Sequence, residues 1–328
     1  SVVISLSVLF SRQEFGRIEM EQAILSEENL ASTIFFLLLK LSNTPESKAG
    51  DIDYWSVPLY RKMYKQCLED KKLTFILPAF PAKSSNPEKT SGPLPDLGEI
   101  LALKTLNDFC HEVSKIYGPG IEITICSDGR VFNDIVFVSD YDLQLYKSKI
   151  SEIIEIHGFS FLKTYDLDDY YKNSMSYKSM REEFCHDFSQ SIEDIKFKVR
   201  EDYQYRNIFN GLHRFLKEDM NVLRGDLSRN QVAKESKTLA YQLIQRSGAW
   251  DKLLSSCFEE ALRLSIHPYP IEHKKFGVKL VPSSERWATP WHNVVVKRDG
   301  EYQLMKKREA LEMGAVEKKL GGKYVYFE

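Results

Sequence analysis

Cysteine is scarce in this sequence. Five occur in 328 residues, Cys67, Cys110, Cys126, Cys185 and Cys257, and no two stand in a C-x-x-C pair. Their odd number and wide spacing argue against a disulfide framework or a structural zinc site and favour a reducing compartment. Long apolar runs are also missing. The most hydrophobic stretch, Ile34 to Leu39, is closed by Lys40 and is far too short to span a bilayer, so it reads as buried helix and no membrane association is expected. Residues 1–10, SVVISLSVLF, lack a basic n-region and a clear cleavage site, so no signal peptide is expected there and the expected location is cytoplasmic. Charge of one sign is not in excess either. Lys and Arg number 45 against 47 Asp and Glu, a net charge of -2, which excludes the broad basic surface of a nucleic-acid binder and leaves room only for a local positive site. G-x-G-x-x-G, a Walker loop, G-x-S-x-G and HExxH are all absent, which removes the simplest dinucleotide, triphosphatase, hydrolase and zinc-protease readings.

What is present is a globular pattern. Hydrophobic residues make up 43% of the chain, enough for one large or two ordinary domains. Helical spacing runs through Ile24, Leu25, Leu30, Ile34, Leu37 and Leu38, then through Tyr60, Met63, Tyr64 and Cys67. The segment Leu73-Thr74-Phe75-Ile76-Leu77 reads as a strand running into Pro78. A loop with four further prolines, Pro81, Pro87, Pro93 and Pro95, follows, and loops of that length are generally functional or disordered. A helix is expected from about Leu97 to Tyr117, then a Gly118-Pro119-Gly120 break, then an alternating strand from Ile121 to Ile125. Strand, loop, helix and strand make a βαβ-like unit. Ser139 with Asp142 three residues on resembles a helix start, and Trp250 to Glu260 reads as a helix. Strands are expected in ALRLSIHPYP, from Trp291 to Lys297, from Glu301 to Lys306 and near Lys323 to Phe327. Arg298-Asp299-Gly300 gives a hairpin signal. The middle, Asp166 to Asn221, is helical in character without clear boundaries. Residues 1–70 are expected as an N-terminal helical region, 71–270 as a Rossmann-like α/β core with a central sheet flanked by helices, and 271–328 as a small β-rich extension.

Ligands of open α/β sheets sit at the carboxyl ends of the strands. Ser127-Asp128-Gly129-Arg130 occupies such an end: Gly129 permits close backbone approach, Arg130 can clasp a phosphate or carboxylate, and Ser127 and Asp128 can meet a sugar hydroxyl or an amine. The same four residues also suit a tight turn with a surface ion pair. Lys83, Ser84 and Ser85 follow the first strand and suit phosphate, or an ordinary solvated loop. In LRGDLSRNQ, the residues Arg224, Asp226 and Arg229 surround Gly225, either as an anion site or as a charged helix start capped by Asp226 or Ser228. His267 and His292 stand at strand ends, where an imidazole can move protons or can merely pack. No histidine pair has metal-ligand spacing, so no metal is expected.

Taken in order, LPAFPAKSSNP, GPLPDLGE, ITICSDGRVFNDIV, RGDLSR, RLSIHP and TPWHNVVV resemble the isocyanide (isonitrile) synthase family, which is related to the pyoverdine/dityrosine biosynthesis proteins. The resemblance spans Leu73 to the C-terminus. It implies an enzyme that turns the amino group of an L-amino acid into an isocyanide, with C2 of ribulose 5-phosphate as carbon donor, through an imine and carbon-carbon cleavage, without a cofactor. On this reading His267, His292 and Asp128 carry proton transfer, while Lys83, Ser84, Ser127, Arg130, Arg224, Asp226 and Arg229 bind phosphate, carboxylate or hydroxyl groups. It also implies a downstream iron- and 2-oxoglutarate-dependent oxygenase, or a fused module, that consumes the product. Two alternatives remain open at this point: a dityrosine-type enzyme giving an N-formyl amino acid, and a binding module without turnover.

Overall fold

Short apolar segments such as residues 73–77, which run into Pro78, and residues 121–125, which follow Gly120, produce the central strands. The computed structural model describes residues 27–44, 52–172, 175–285 and 287–328. Ile24 and Leu25 of the first helical pattern lie outside the described residues. Helix α1 (Glu27–Leu39) and helix α2 (Pro58–Leu68), with Pro58 in its first turn, lead into β1 (Leu73–Pro78). Helix α3 (Leu97–Ser114) is started by a capping box in which Asp96 accepts from Gly98 and Glu99 reaches back to the Asp96 amide. Strand β2 (Ile121–Cys126), the single-turn α4 (Gly129–Phe132) and α5 (Asp140–Ile156) follow, the last capped by Ser139 accepting from the Asp142 amide. Strand β3 (Leu162–Tyr165) comes next. The charged middle of the chain is four helices, α6 (Leu167–Tyr171), α7 (Tyr177–Phe188), α8 (Ile192–Glu201) and α9 (Tyr203–Leu223), before the long α10 (Arg229–Cys257). Ser228 caps α10, which settles that ambiguity against Asp226, and the helix expected from Trp250 is only its last part.

Strands β4 (Leu262–Ser265) and β5 (Phe276–Gly277) complete a five-stranded parallel sheet ordered β3-β2-β1-β4-β5. Strands β6 (Val294–Arg298) and β7 (Glu301–Met305), helix α11 (Lys307–Glu312), and strands β8 (Glu317–Leu320) and β9 (Tyr324–Phe327) form a second sheet ordered β7-β6-β9-β8. The β6-β7 hairpin turns on Asp299 and Gly300, both with positive φ (53° and 84°), as a two-residue primed turn requires. Trp291 to Asn293 were expected in the strand, but the His292 amide bonds back to the Thr289 carbonyl at 3.1 Å and holds them in a turn.

The parallel sheet is buried on both faces, as parallel sheets are. Phe75, Leu77, Ile123, Ile125, Leu262 and Leu264 face one way, against α1, α2, α3 and α5. Ile76 and Cys126 face the other, against Met180 and Phe184 of α7 and Trp250, Leu253 and Leu254 of α10. Phe35 of α1, Tyr60 of α2 and Val295 and Leu304 of the second sheet join the first of these clusters, so the three sequence segments share one core. Burying one such Phe or Leu is worth about 1.5–3 kcal/mol. From β1 the chain winds outward through β2 and β3, then crosses back through α6 to α10 and enters on the far side of β1 as β4. The order therefore reverses between β1 and β4, and at such a switch point the loops beyond the strand ends diverge to leave a crevice.

Candidate functional site

Three strand ends converge at this crevice. The loop after β1 carries Phe80 and Lys83, the turn after β2 carries Ser127 to Arg130, and β4 runs into His267. Phe80 is buried with φ of 56°, an uncommon conformation for a bulky residue; its ring meets Trp291 at 5.3 Å and its carbonyl accepts from Ser127 Oγ at 2.9 Å. The loop passes so close to Gly129 that a Cβ there would lie 1.9 Å from the Pro81 carbonyl oxygen. The glycine is thus fixed by contact between two loops.

Asp128 and His292 are partly exposed and His267 is exposed, although protein packs closely around each of them. Burial pushes the Asp128 carboxyl up to about 7, and its Oδ1 has no hydrogen-bond partner. Burial pushes His292 down to about 3, with Lys89 and Lys83 adding to the effect; its Nδ1 is unpartnered and its ring meets Phe215 edge-on at 5.2 Å. His267 is the most accessible of the three. Its ring lies 4.8 Å from Trp287, and the surrounding protein, then Lys275, lower its pKa. Both imidazoles are therefore neutral at pH 7, and Asp128 is the group closest to half-protonation.

Lys83 does not serve as an open phosphate ligand. Its ammonium contacts Asp96 Oδ2 at 2.7 Å, Glu99 Oε2 at 3.0 Å and the Pro290 carbonyl at 2.7 Å, which occupies all three of its N–H donors. Burial opposes its charge, but the two carboxylates outweigh that and hold its pKa above the ordinary lysine value. Burial also pushes Glu99 up to about 8 against the pull of Lys83, and Tyr146 donates to Glu99 Oε1 at 3.2 Å. Together with the Ser84 amide bonded to the Trp291 carbonyl at 2.9 Å, this network pins the 290–292 segment onto the loop after β1.

Arg130 is likewise engaged within the protein. Its side chain is fully buried, donates to Asp140 at 3.0 Å and Gln144 at 3.2 Å, lies 3.5 Å from Asp168, and stacks 3.3 Å above the Tyr177 ring. It joins α4, α5, α6 and α7, a role invisible without the tertiary structure. Ser127 is buried, its hydroxyl engaged by Phe80, and Ser84 is buried with Oγ accepting from the Asn86 amide at 3.2 Å. Ser84 also borders a hollow of about 290 Å³ that Ser85, Thr90, Ser91 and Lys307 share. Arg224 and Asp226 pair with each other at 3.1 Å on the surface, and Arg229 is exposed at the start of α10; among the described contacts, none joins them to the cleft.

The sequence reading overlooked Arg263. It stands on β4 in register with Ile76, on the face toward α10, and its Nη2 pairs with Asp251 of that helix. Nε and Nη1 are buried and have no acceptor. An arginine in the middle of a short strand otherwise made of leucine and serine was the available signal, because a buried parallel strand has no place for a charge without a task. Trp250, beside Asp251, likewise buries an indole N–H without an acceptor. Among the described residues no group of three or more His, Cys, Asp or Glu is arranged to hold a metal ion, and no helix is long and apolar enough to cross a membrane.

Comparison with known proteins places this geometry. The family model described as pyoverdine/dityrosine biosynthesis protein matches residues 63–318. An L-tryptophan isonitrile synthase of Fischerella ambigua is 42% identical over 246 residues, covering 75% of this chain and 74% of that protein. A second L-tryptophan isonitrile synthase of the same organism is 37% identical, covering 88% and 90%. An L-tyrosine isonitrile synthase of Pseudomonas aeruginosa is 36% identical, covering 74% and 75%. The crystal structure of the PvcA protein from Pseudomonas aeruginosa superposes with a TM-score of 0.82 at 31% identity, over 91% of this chain and 99% of that one.

Proposed function

Because the chain belongs to the pyoverdine/dityrosine biosynthesis family, with isonitrile synthases among its relatives, we propose that it is an isonitrile synthase acting on an aromatic L-amino acid, L-tryptophan foremost. C2 of ribulose 5-phosphate would supply the new carbon. The amine adds to the C2 ketone, water leaves to give an imine, and the bonds from that carbon to its two neighbours then break, one leaving its electron pair on the former C2 as the hydroxyl-bearing fragment departs as an aldehyde, the other departing with its pair and taking up a proton. A ketone carbon and an isocyanide carbon stand at the same oxidation level, so this route needs no external oxidant or reductant.

The observation that carries the reading is Asp128, a partly exposed carboxyl at the carboxyl end of β2, with its Oδ1 unpartnered and its pKa raised to about 7 by burial. Such a group can take a proton from the substrate ammonium, return one to the departing hydroxyl of the carbinolamine, and repeat the exchange at each cleavage. His267 and His292, held neutral, suit the role of hydrogen-bond acceptors that orient hydroxyl groups and take protons as bases.

The test is incubation with ribulose 5-phosphate and a panel of L-amino acids, followed by tetrazine trapping and mass spectrometry. The expected product has gained one carbon and lost two hydrogens, requires the sugar phosphate, and forms fastest from L-tryptophan. A folded protein that yields no such product from any amino acid refutes the reading.

A further inference from the structure

Lys83 has no open donor, and Arg130, which lacks an acceptor only at Nε, is fully buried among α4 to α7, so an anionic substrate still needs a cation beside the strand ends. A substrate carboxylate or phosphate buried without one would carry a large desolvation cost. Among the described residues, Arg263 meets the requirement. Its side chain is only 15% exposed, Asp251 takes Nη2, and Nε and Nη1 are left as buried donors without acceptors. A guanidinium has five N–H donors, and native proteins rarely leave buried ones unpaired, so those that stay open next to a cleft mark a place for an acceptor.

The surroundings of Arg263 favour a negative guest. Lys275 contacts the same Asp251 carboxylate at 2.9 Å, so one carboxylate faces two cations. The Tyr269 phenol is close enough to Asp251 and Arg263 to be influenced by both, and His267 lies within reach of Lys275. Trp250, the residue before Asp251, adds its unpaired indole N–H on the same side of the sheet. Strand β4 ends two residues beyond Arg263, beside β1, where the strand order reverses.

We propose that Arg263 is the substrate oxyanion anchor, binding a carboxylate or phosphate through Nε and Nη1 while Asp251 holds its far side. This rests on the two-substrate reaction above, in which each substrate carries one such group, the amino-acid carboxylate or the sugar phosphate. Asp251 is then a positioning residue, since it reaches the substrate only through Arg263.

Arg263→Gln and Arg263→Lys test the assignment. The lysine variant keeps a cation for Asp251, so it can retain that ion pair while losing the Nε and Nη1 donors. Removing charge-assisted hydrogen bonds is expected to raise one Michaelis constant about 10- to 100-fold. A rise for ribulose 5-phosphate alone assigns the site to phosphate, and a rise for the amino acid alone assigns it to carboxylate. Both constants staying within threefold of wild type in the folded lysine variant overturns the proposal. If the wild type makes no isonitrile, the reaction reading fails separately, and calorimetric titration with ribulose 5-phosphate and L-tryptophan decides. Weaker binding of either compound by Arg263→Lys than by wild type supports the anchor. Equal binding by both proteins, or none by the wild type, overturns it.

Discussion

Replacing Lys83 with methionine probes the buried network most directly. The methionine fills nearly the same volume but removes the ammonium that meets Asp96, Glu99 and the Pro290 carbonyl. Removing one partner of a buried ion pair costs about 3–5 kcal/mol, because the remaining charge has no compensation. Unfolding entropy near 2 cal/mol/K per residue makes each kcal/mol worth about 1.5 °C in a chain of this size, so the melting temperature should fall by about 4–7 °C. The pH dependence separates this cause from simple misfit. Burial raises Glu99 in the folded state to about 8 from an ordinary 4.5. Its contribution is therefore present in full below 4.5 and is lost as pH rises toward 8, with a slope of up to about 1.4 kcal/mol per unit, since the folded state holds a proton that the unfolded chain has released. Lys83 pulls Glu99 downward, so without it the carboxyl titrates higher still and the loss continues above pH 8. The gap between variant and wild type should widen from pH 6 to pH 9. Urea unfolding at both pH values measures it, and a melting temperature within 1 °C of wild type, or a gap that narrows with pH, would refute the reasoning.

Other outcomes follow from the cleft itself. Asp128→Asn should lower isonitrile formation by about 10²- to 10⁴-fold and remove the rise in rate through pH 7. The same variant should melt higher than wild type at pH 8, because the raised Asp128 pKa means stability present below 3.8 is lost as pH climbs through 7; calorimetry at pH 5 and pH 8 checks the sign. Gly129→Ala places a methyl 1.9 Å from the Pro81 carbonyl oxygen, so the loops must separate, at a cost of about 3 kcal/mol or more in denaturant unfolding. His292→Ala should slow turnover by at least about tenfold, and an unchanged rate removes that ring from the mechanism.

Much of the architecture could be read locally. Short-range rules placed β1, β2, the Ser139 cap of α5 and the Asp299-Gly300 turn, because each depends on residues within one turn or one strand. The strand Glu317–Leu320, with three charged residues, gave no periodic signal and forms by pairing with the last strand of the chain. Asp128 after β2 and His267 after β4 could be placed at strand ends from sequence, whereas His292 lies in the turn before β6 and not in the strand. Which cation keeps open donors could not be read there, since Lys83 meets Glu99 sixteen positions on and Pro290 in the C-terminal third, and Arg130 of α4 finds Tyr177 of α7.

By itself the sequence determined the α/β pattern, the strand ends that carry polar residues, and the family whose ordered blocks it shares. These are written in periods of two and three to four residues and in contiguous motifs. The tertiary structure alone decided which of those polar residues face each other. Lys83 spends all three donors on Asp96, Glu99 and the Pro290 carbonyl, while Arg263 on a central strand, though paired with Asp251, retains two buried donors without acceptors. The physical reason is that a charge acquires its role from what lies within a few ångströms in space, and burial makes each such neighbour decisive.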